Sequence, residues 1–273
     1  MKDKISLAGD LGSGKSTVSK IIIDRLGAEY YSTGAIVRGV AEKHGMTVVE
    51  LNKYMETHPE IDHEIDDGLV ALSDLDKLLI IDSRMAWHFT RGTFKVYLSI
   101  DIETGAYRIM NANRDGEHRA TLEETVKDTR DRRASEKKRY MEQYGVDIKD
   151  LTNYSLIVDT TYATPDEIAE LIMESFAAWQ TDRELSRAYI SPSRLNFIDD
   201  EADAPEVARR AELLDLGEDI SEVTVFEEDG EFFVEDGLES ALAYAFNMET
   251  FVPARLVKSS RGDRKYVKMK NSL

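Results

Sequence analysis

The chain has 273 residues, 35 Lys and Arg against 53 Asp and Glu for a formal net charge of −18, 42 % hydrophobic residues and no cysteine. That size suits an α/β domain with a smaller module appended, the apolar share suits a globular chain, and the missing cysteines exclude disulfides, thiolate metal sites and cysteine nucleophiles. The negative balance argues against generic nucleic-acid binding, no run reaches the roughly 18 apolar residues of a membrane span, and a strand pattern opens too early for a signal peptide, so a cytoplasmic location is expected.

Short apolar runs alternate with longer amphipathic patterns as far as about Phe176, the signature of a parallel sheet with crossover helices. Strands are predicted at Ile5–Ala8, Glu29–Ser32, Leu78–Ile81, Phe94–Ile100 and Ser155–Val158. Several are apolar at successive positions, as central strands covered on both faces are.

Directly after the first strand stands Gly9-Asp10-Leu11-Gly12-Ser13-Gly14-Lys15-Ser16-Thr17, which satisfies G-x-x-x-x-G-K-[ST] and leads into an amphipathic helix. Glycines let backbone N–H groups converge on phosphate, and the helix N-terminus adds its positive dipole end. Lys15 is expected to reach the β- and γ-phosphates, and the Ser16 hydroxyl to coordinate Mg²⁺. The segment predicts ATP binding with Mg²⁺.

Further along, Tyr31-Ser32-Thr33-Gly34-Ala35-Ile36-Val37-Arg38 follows the second strand, at the sheet edge where α/β folds gather ligands. Ile81-Asp82-Ser83-Arg84 ends the third strand. From Arg108 to Tyr144 runs a charged, arginine-rich helical stretch with a turn signal at Asn113-Arg114-Asp115-Gly116. Within it Arg132, Glu136 and Arg139 stand at i, i+4 and i+7, on one helix face.

These motifs together resemble cytidylate kinases of the short, archaeal type over about residues 4–176. Tyr31–Arg38 is similar to that family's S-T-G-A-I-x-R, and Arg132-x-x-x-Glu136-x-x-Arg139-Tyr140 continues to Tyr144-Gly145-Val146-Asp147-Ile148 as in the family. The resemblance implies a P-loop kinase with a five-stranded parallel sheet and a helical lid, transferring phosphate from ATP to CMP or dCMP. It implies that Ser32, Thr33, Gly34, Arg38, Arg84, Glu136 and Arg139 hold the acceptor, and that Arg108, Arg114 and Arg132 reach the transferring phosphoryl group. Asp82 is open to two roles, holding metal-bound water or orienting Arg84. Asp62, within His58-Pro59-Glu60-Ile61-Asp62, is a further acceptor contact. Ser83 stands where the family usually has glycine. A P-loop kinase for another small acceptor and a nucleotide-sensing protein with weak turnover remain the alternatives.

Beyond Thr181 the pattern changes. Ser191-Pro192-Ser193 breaks the helix, Val223–Phe226 and Phe232–Val234 flank a hairpin turn at Asp229-Gly230, and a helix at Leu238–Phe246 precedes a strand at Ala254–Val257. The chain is therefore expected to divide into a kinase portion, 1–180, holding every part of the phosphate-transfer site, and a small α+β module, 181–273. Residues 189–258 partly resemble the ParB/sulfiredoxin-like fold, but Asp236-Gly237 is followed by Leu238-Glu239-Ser240, not by that family's two histidines and arginine. A non-catalytic module, open to a protein partner, is expected. The basic run Arg261, Arg264, Lys265, Lys268 and Lys270 and the acidic stretch between Asp199 and Glu239 are expected either to solvate their own surfaces or to neutralise each other.

Overall fold

The computed structural model describes residues 3–55, 57–112, 121–198 and 202–269. Strands β1 (Lys4–Gly9), β2 (Glu29–Ser32), β3 (Leu79–Asp82), β4 (Thr93–Ser99) and β5 (Leu156–Asp159) lie parallel in the order β2-β3-β1-β4-β5. Crossovers are made by α1 (Lys15–Leu26), α2 (Thr33–Lys43), α3 (Val48–Met55), α4 (Pro59–Ala71), α5 (Ala86–Phe89), α6 (Ile102–Asn111), α7 (Leu122–Tyr144) and α8 (Pro165–Thr181). This is the α/β P-loop kinase fold, with further strands and helices after it. All five predicted strands are present, with ends within one residue of those expected.

The reason is burial. Every residue of β1 is buried, and β4 is nearly so, which only a strand with both faces covered achieves. Val18 and Ile22 of α1 and Ile168, Ile172 and Phe176 of α8 cover one face of the sheet. The lid helix α7 starts at a capping box in which the Thr121 hydroxyl accepts from Glu124 N–H and the Glu124 carboxylate accepts from Thr121 N–H.

After α8 the sheet continues. β6 (Arg187–Ile190) pairs parallel with β5, and β7 (Leu195–Phe197), α9 (Ala204–Asp215), β8 (Val223–Glu228), β9 (Glu231–Asp236), α10 (Leu238–Phe246), β10 (Val252–Leu256) and β11 (Val267–Lys268) follow. The order β11-β7-β9-β8-β10-β6-β5 completes one eleven-stranded sheet among the described residues. The expected boundary near residue 180 thus falls between α8 and β6, where the hydrogen-bonded ladder runs on. One buried cluster unites both sides of it, joining Tyr97, Tyr154 and Ile157 to Ile190, Val225, Phe232 and Val252. The hairpin turn is as expected, with Asp229 and Gly230 both at positive φ, 57° and 86°. The basic run meets the acidic stretch: Arg261 pairs with Glu228 at 2.8 Å and Asp229 at 3.0 Å, and Arg264 with Glu235 at 3.1 Å.

Candidate active site

The phosphate loop joins β1 to α1 with Gly12 and Gly14 at φ 79° and 83°. Gly12 serves close approach as well, because a Cβ there would collide with the Gly105 carbonyl of α6. The Ser13 hydroxyl donates to Asp10 O at 2.8 Å, and Ser16 and Thr17 stand exposed on the first turn of α1. Lys15 folds back over the loop, its Nζ donating to the carbonyls of Gly9 and Asp10 at 3.0 Å each. Burial, with the Arg84 charge, pushes its ammonium down to about 7.

Across from Lys15, Arg84 leaves the end of β3 and donates to Gly9 O and, through Nε at 3.0 Å, to Glu136 of the lid helix. Glu136 uses its other oxygen to accept from Arg132 Nε, also at 3.0 Å. Burial alone would raise the Glu136 carboxyl, but the charges of Arg84 and Arg132 bring it down to about 2. One carboxylate therefore clamps a guanidinium from the sheet edge to one from the lid. Asp82 sits beside them, accepting from Tyr30 OH at 3.0 Å, and its backbone carbonyl accepts from Thr33 Oγ1 at 3.4 Å. That last bond ties the start of α2 to β3. Ser32 caps α2 by accepting from Ala35 N–H at 3.3 Å, and the exposed Arg38 guanidinium lies over Gly34.

Further along the lid helix, Arg139 lies over the Tyr140 ring, 5.0 Å from its centroid. The Asp62 carboxyl of α4 is 6 % exposed, and burial pushes its pKa up against the opposing charge of Arg139. The Gln143 amide of the lid helix faces the Asp62 carboxyl and helps Arg139 hold it down against that burial.

The residues expected from the sequence thus fall into a central group, Lys15, Asp82, Arg84, Arg132 and Glu136, flanked by Ser32, Thr33, Gly34 and Arg38 on one side and by Asp62 and Arg139 on another. Arg108 is not among them. Its guanidinium donates to the carbonyls of Thr160 and Thr161, at 2.9 and 3.1 Å, at the loop after β5. Arg114 lies outside the described residues. Ser83, 5 % exposed, turns its hydroxyl inward to accept from Met85 N–H at 3.2 Å, so its side chain is occupied by the local turn.

Some contacts had no local signal. Asp10 occupies a variable position of the phosphate loop, yet it is 6 % exposed and accepts from Tyr97 OH at 2.8 Å and from Lys149, with Arg133 at 3.3 Å. Against a burial effect of opposite sign, Lys149 and Arg133 bring its carboxyl down to about 2. The loop is thereby tied to the lid helix and to the segment following it. Lys149 directly follows the family-like Asp147-Ile148, and that adjacency was the only hint available.

The cytidylate kinase-like family description matches residues 4–162. The chain belongs to the cytidylate kinase-like family. Among its relatives, the cytidylate kinase of Thermoplasma volcanium is 37 % identical over 174 residues, covering 62 % of this chain and 89 % of that one. That of Halobacterium salinarum is 32 % identical over 195 residues, covering 71 % and 99 %. An S-adenosylmethionine-dependent nucleotide dehydratase of Lacinutrix mariniflava is 37 % identical over 177 residues, and the chain spans only 36 % of its length. Membership of a P-loop kinase family implies use of ATP. Among the described residues no helix is long and apolar enough to cross a membrane.

Proposed function

We propose that the protein transfers the γ-phosphoryl group of ATP to the phosphate of CMP or dCMP, giving ADP and CDP or dCDP. The observation that carries this reading is the Arg84–Glu136–Arg132 clamp beside Lys15, which sets guanidinium groups from two elements around one point at the phosphate loop. A phosphate acceptor carries nearly two negative charges, and arginine's planar donors fix such oxygens in direction as well as in place. The cytidylate kinases similar to this chain support the choice of acceptor.

In the reaction the bond from the γ-phosphorus to the bridging oxygen of ADP breaks while an oxygen of the acceptor phosphate bonds to phosphorus in line with it. That oxygen is already ionised near neutral pH, so no general base is needed. Alignment supplies most of the catalysis, up to roughly 7–11 kcal/mol from prepaid orientation. Lys15 moves from the Gly9 and Asp10 carbonyls to the phosphates, Arg132 neutralises charge around the transferring group, and Arg84, Arg38 and Arg139 hold the acceptor. The exposed Ser16 hydroxyl and the Asp82 carboxylate are an oxygen donor pair suited to Mg²⁺, which when bound neutralises phosphate charge. The buried Asp62 carboxyl, with the Gln143 amide beside it, offers an acceptor and a donor suited to a polar ring edge.

A panel measuring ADP formation with CMP, dCMP, UMP, AMP, shikimate and serine tests the reading. Turnover with CMP or dCMP supports it. Turnover only with a non-nucleotide sinks it in favour of another small acceptor, and tight CMP binding without turnover replaces it with a nucleotide sensor. Dehydratase chemistry is not carried over, since the chain matches about a third of that relative.

A further inference from the structure

Arg194 is a cation placed where a surface residue has no reason to be. It follows Ser191-Pro192-Ser193, between β6 and β7, and is 3 % exposed. Its Nη2 donates to Gly230 O at 2.9 Å in the β8–β9 turn. Nη1 lies 3.4 Å from both Asp101 Oδ2 and Glu231 Oε1, and Nε lies 3.8 Å from Asp159 Oδ1. Glu231 belongs to the same C-terminal strands as Arg194. Asp159 ends β5 of the kinase sheet, and Asp101 stands two residues past β4.

Both aspartates hold elements of the nucleotide site. Asp101 is the N-cap of α6, its Oδ1 accepting from Glu103 and Thr104 N–H at 3.1 and 3.0 Å. Helix α6 carries Gly105, packed against Gly12 of the phosphate loop so closely that neither tolerates a Cβ without displacing the other segment. Asp159 is fully buried. Its Oδ1 accepts from Thr161 Oγ1 at 2.5 Å, and its Oδ2 accepts from Ser191 N–H at 3.3 Å. The carbonyls of Thr160 and Thr161, in turn, receive Arg108. A guanidinium from the C-terminal strands therefore fixes the start of α6 and the loop after β5, the two segments that border the phosphate loop on its β4–β5 side.

We propose that Arg194 is a positioning residue for the triphosphate side of the site, so that the C-terminal strands form part of the apparatus that binds ATP. The inference rests on the proposed function only in taking the triphosphate to lie on the phosphate loop. The acceptor-side residues Arg38, Asp62 and Arg139 lie on α2, α4 and α7, and Arg194 touches none of them. Loss of the guanidinium leaves Asp101 and Asp159 without their shared counter-charge and lets the α6 cap and the Thr160–Thr161 loop shift. The phosphate loop then loses its packing partner Gly105, while the acceptor pocket keeps its own contacts.

The test uses the full chain. Binding of a non-hydrolysable ATP analogue is titrated calorimetrically in the parent, in Arg194→Met and in Arg194→Lys, and KM is measured for ATP and CMP. Arg194→Met is expected to weaken the analogue by about tenfold while KM for CMP changes by less than about twofold, with Arg194→Lys between, because an ammonium cannot span both aspartates. Arg255→Ala, which cuts an exposed pair with Glu222 in the same C-terminal part, is expected to leave both quantities unchanged. Cooperatively folded Arg194 variants that bind the analogue within about twofold of the parent, or that weaken ATP and CMP equally, overturn the proposal and leave Arg194 a purely structural residue. If Arg194→Met does not fold, Arg194→Lys decides by the same criteria. The titration needs no acceptor, so a protein that binds the analogue as expected but ignores CMP refutes the acceptor reading and leaves this one standing.

Discussion

Replacing Glu136 by glutamine removes the one negative charge between Arg84 and Arg132 while keeping size and shape. The carboxylate is 13 % exposed and Arg84 21 %, so that half of the clamp is a largely desolvated ion pair, whereas Arg132 is 48 % exposed. Stranding a buried charge costs about 3–5 kcal/mol, but breaking a pair whose cation is half in water costs only about 0–1 kcal/mol. The Arg84 half decides the sum. Since the glutamine can still accept from one guanidinium, about 2–4 kcal/mol is the expected loss. At roughly 2–4 °C per kcal/mol for a chain of this size class, Tm should fall by about 5–15 °C. Trp87 and Trp179 are both buried, so their fluorescence follows the transition. In the proposed reading KM for CMP rises as well, because two unneutralised guanidiniums repel and splay around the acceptor phosphate. A variant with Tm within about 2 °C of the parent and unchanged KM would falsify the clamp.

Lys15→Ala leaves the glycine-loop donors in place and should lower kcat by about 10²–10³ with little change in Tm; a purified, folded variant with parental turnover refutes the role given to Lys15. Arg38→Ala should raise KM for CMP by about tenfold and KM for ATP far less, since Arg38 stands on α2 over Gly34, and equal effects on both would place it elsewhere. Asp10 and Glu136 are both held at about 2, below their ordinary values of 3.8 and 4.5. A depressed folded-state pKa stabilises fully above the unfolded value, so their contribution should be constant above about pH 5 and disappear as pH falls from about 4.5 to 2. Urea unfolding across that range should show a shallower slope in Glu136→Gln than in the parent, and identical slopes would refute the assignment.

What could be read from the sequence was whatever local pattern encodes. A strand such as Ile5–Ala8 announces itself by three apolar residues in four, Ile5, Leu7 and Ala8, and the phosphate loop by glycines whose spacing has one common use. Arg132, Glu136 and Arg139 were placed on one face by the helical period alone. The direction of a long side chain is different, for Arg108 sits on the expected helix yet bends toward carbonyls 52 and 53 positions away along the chain. Asp10 reads from the sequence simply as a member of the phosphate loop, and its partners Tyr97 and Lys149 stand 87 and 139 residues away along the chain. The join of β6 to β5 escapes periodicity for the same reason. Four residues, Arg187–Ile190, carry too little pattern to say which edge they will extend.

That join alters the relation between the two portions of the chain. A lone five-stranded sheet would leave β5 as an open edge, with Leu156, Ile157 and Val158 presenting unpaired backbone groups beside the nucleotide loop. β6 covers that edge, and the turn that follows β6 supplies Ser191 N–H and Arg194 to Asp159 at its end. The contacts of the acceptor side, by contrast, close among α2, α4, β3 and the lid helix. In the proposed reading the kinase portion is thus complete toward its acceptor and incomplete toward its donor, so a perturbation of the C-terminal strands enters the reaction through ATP before it is felt at CMP.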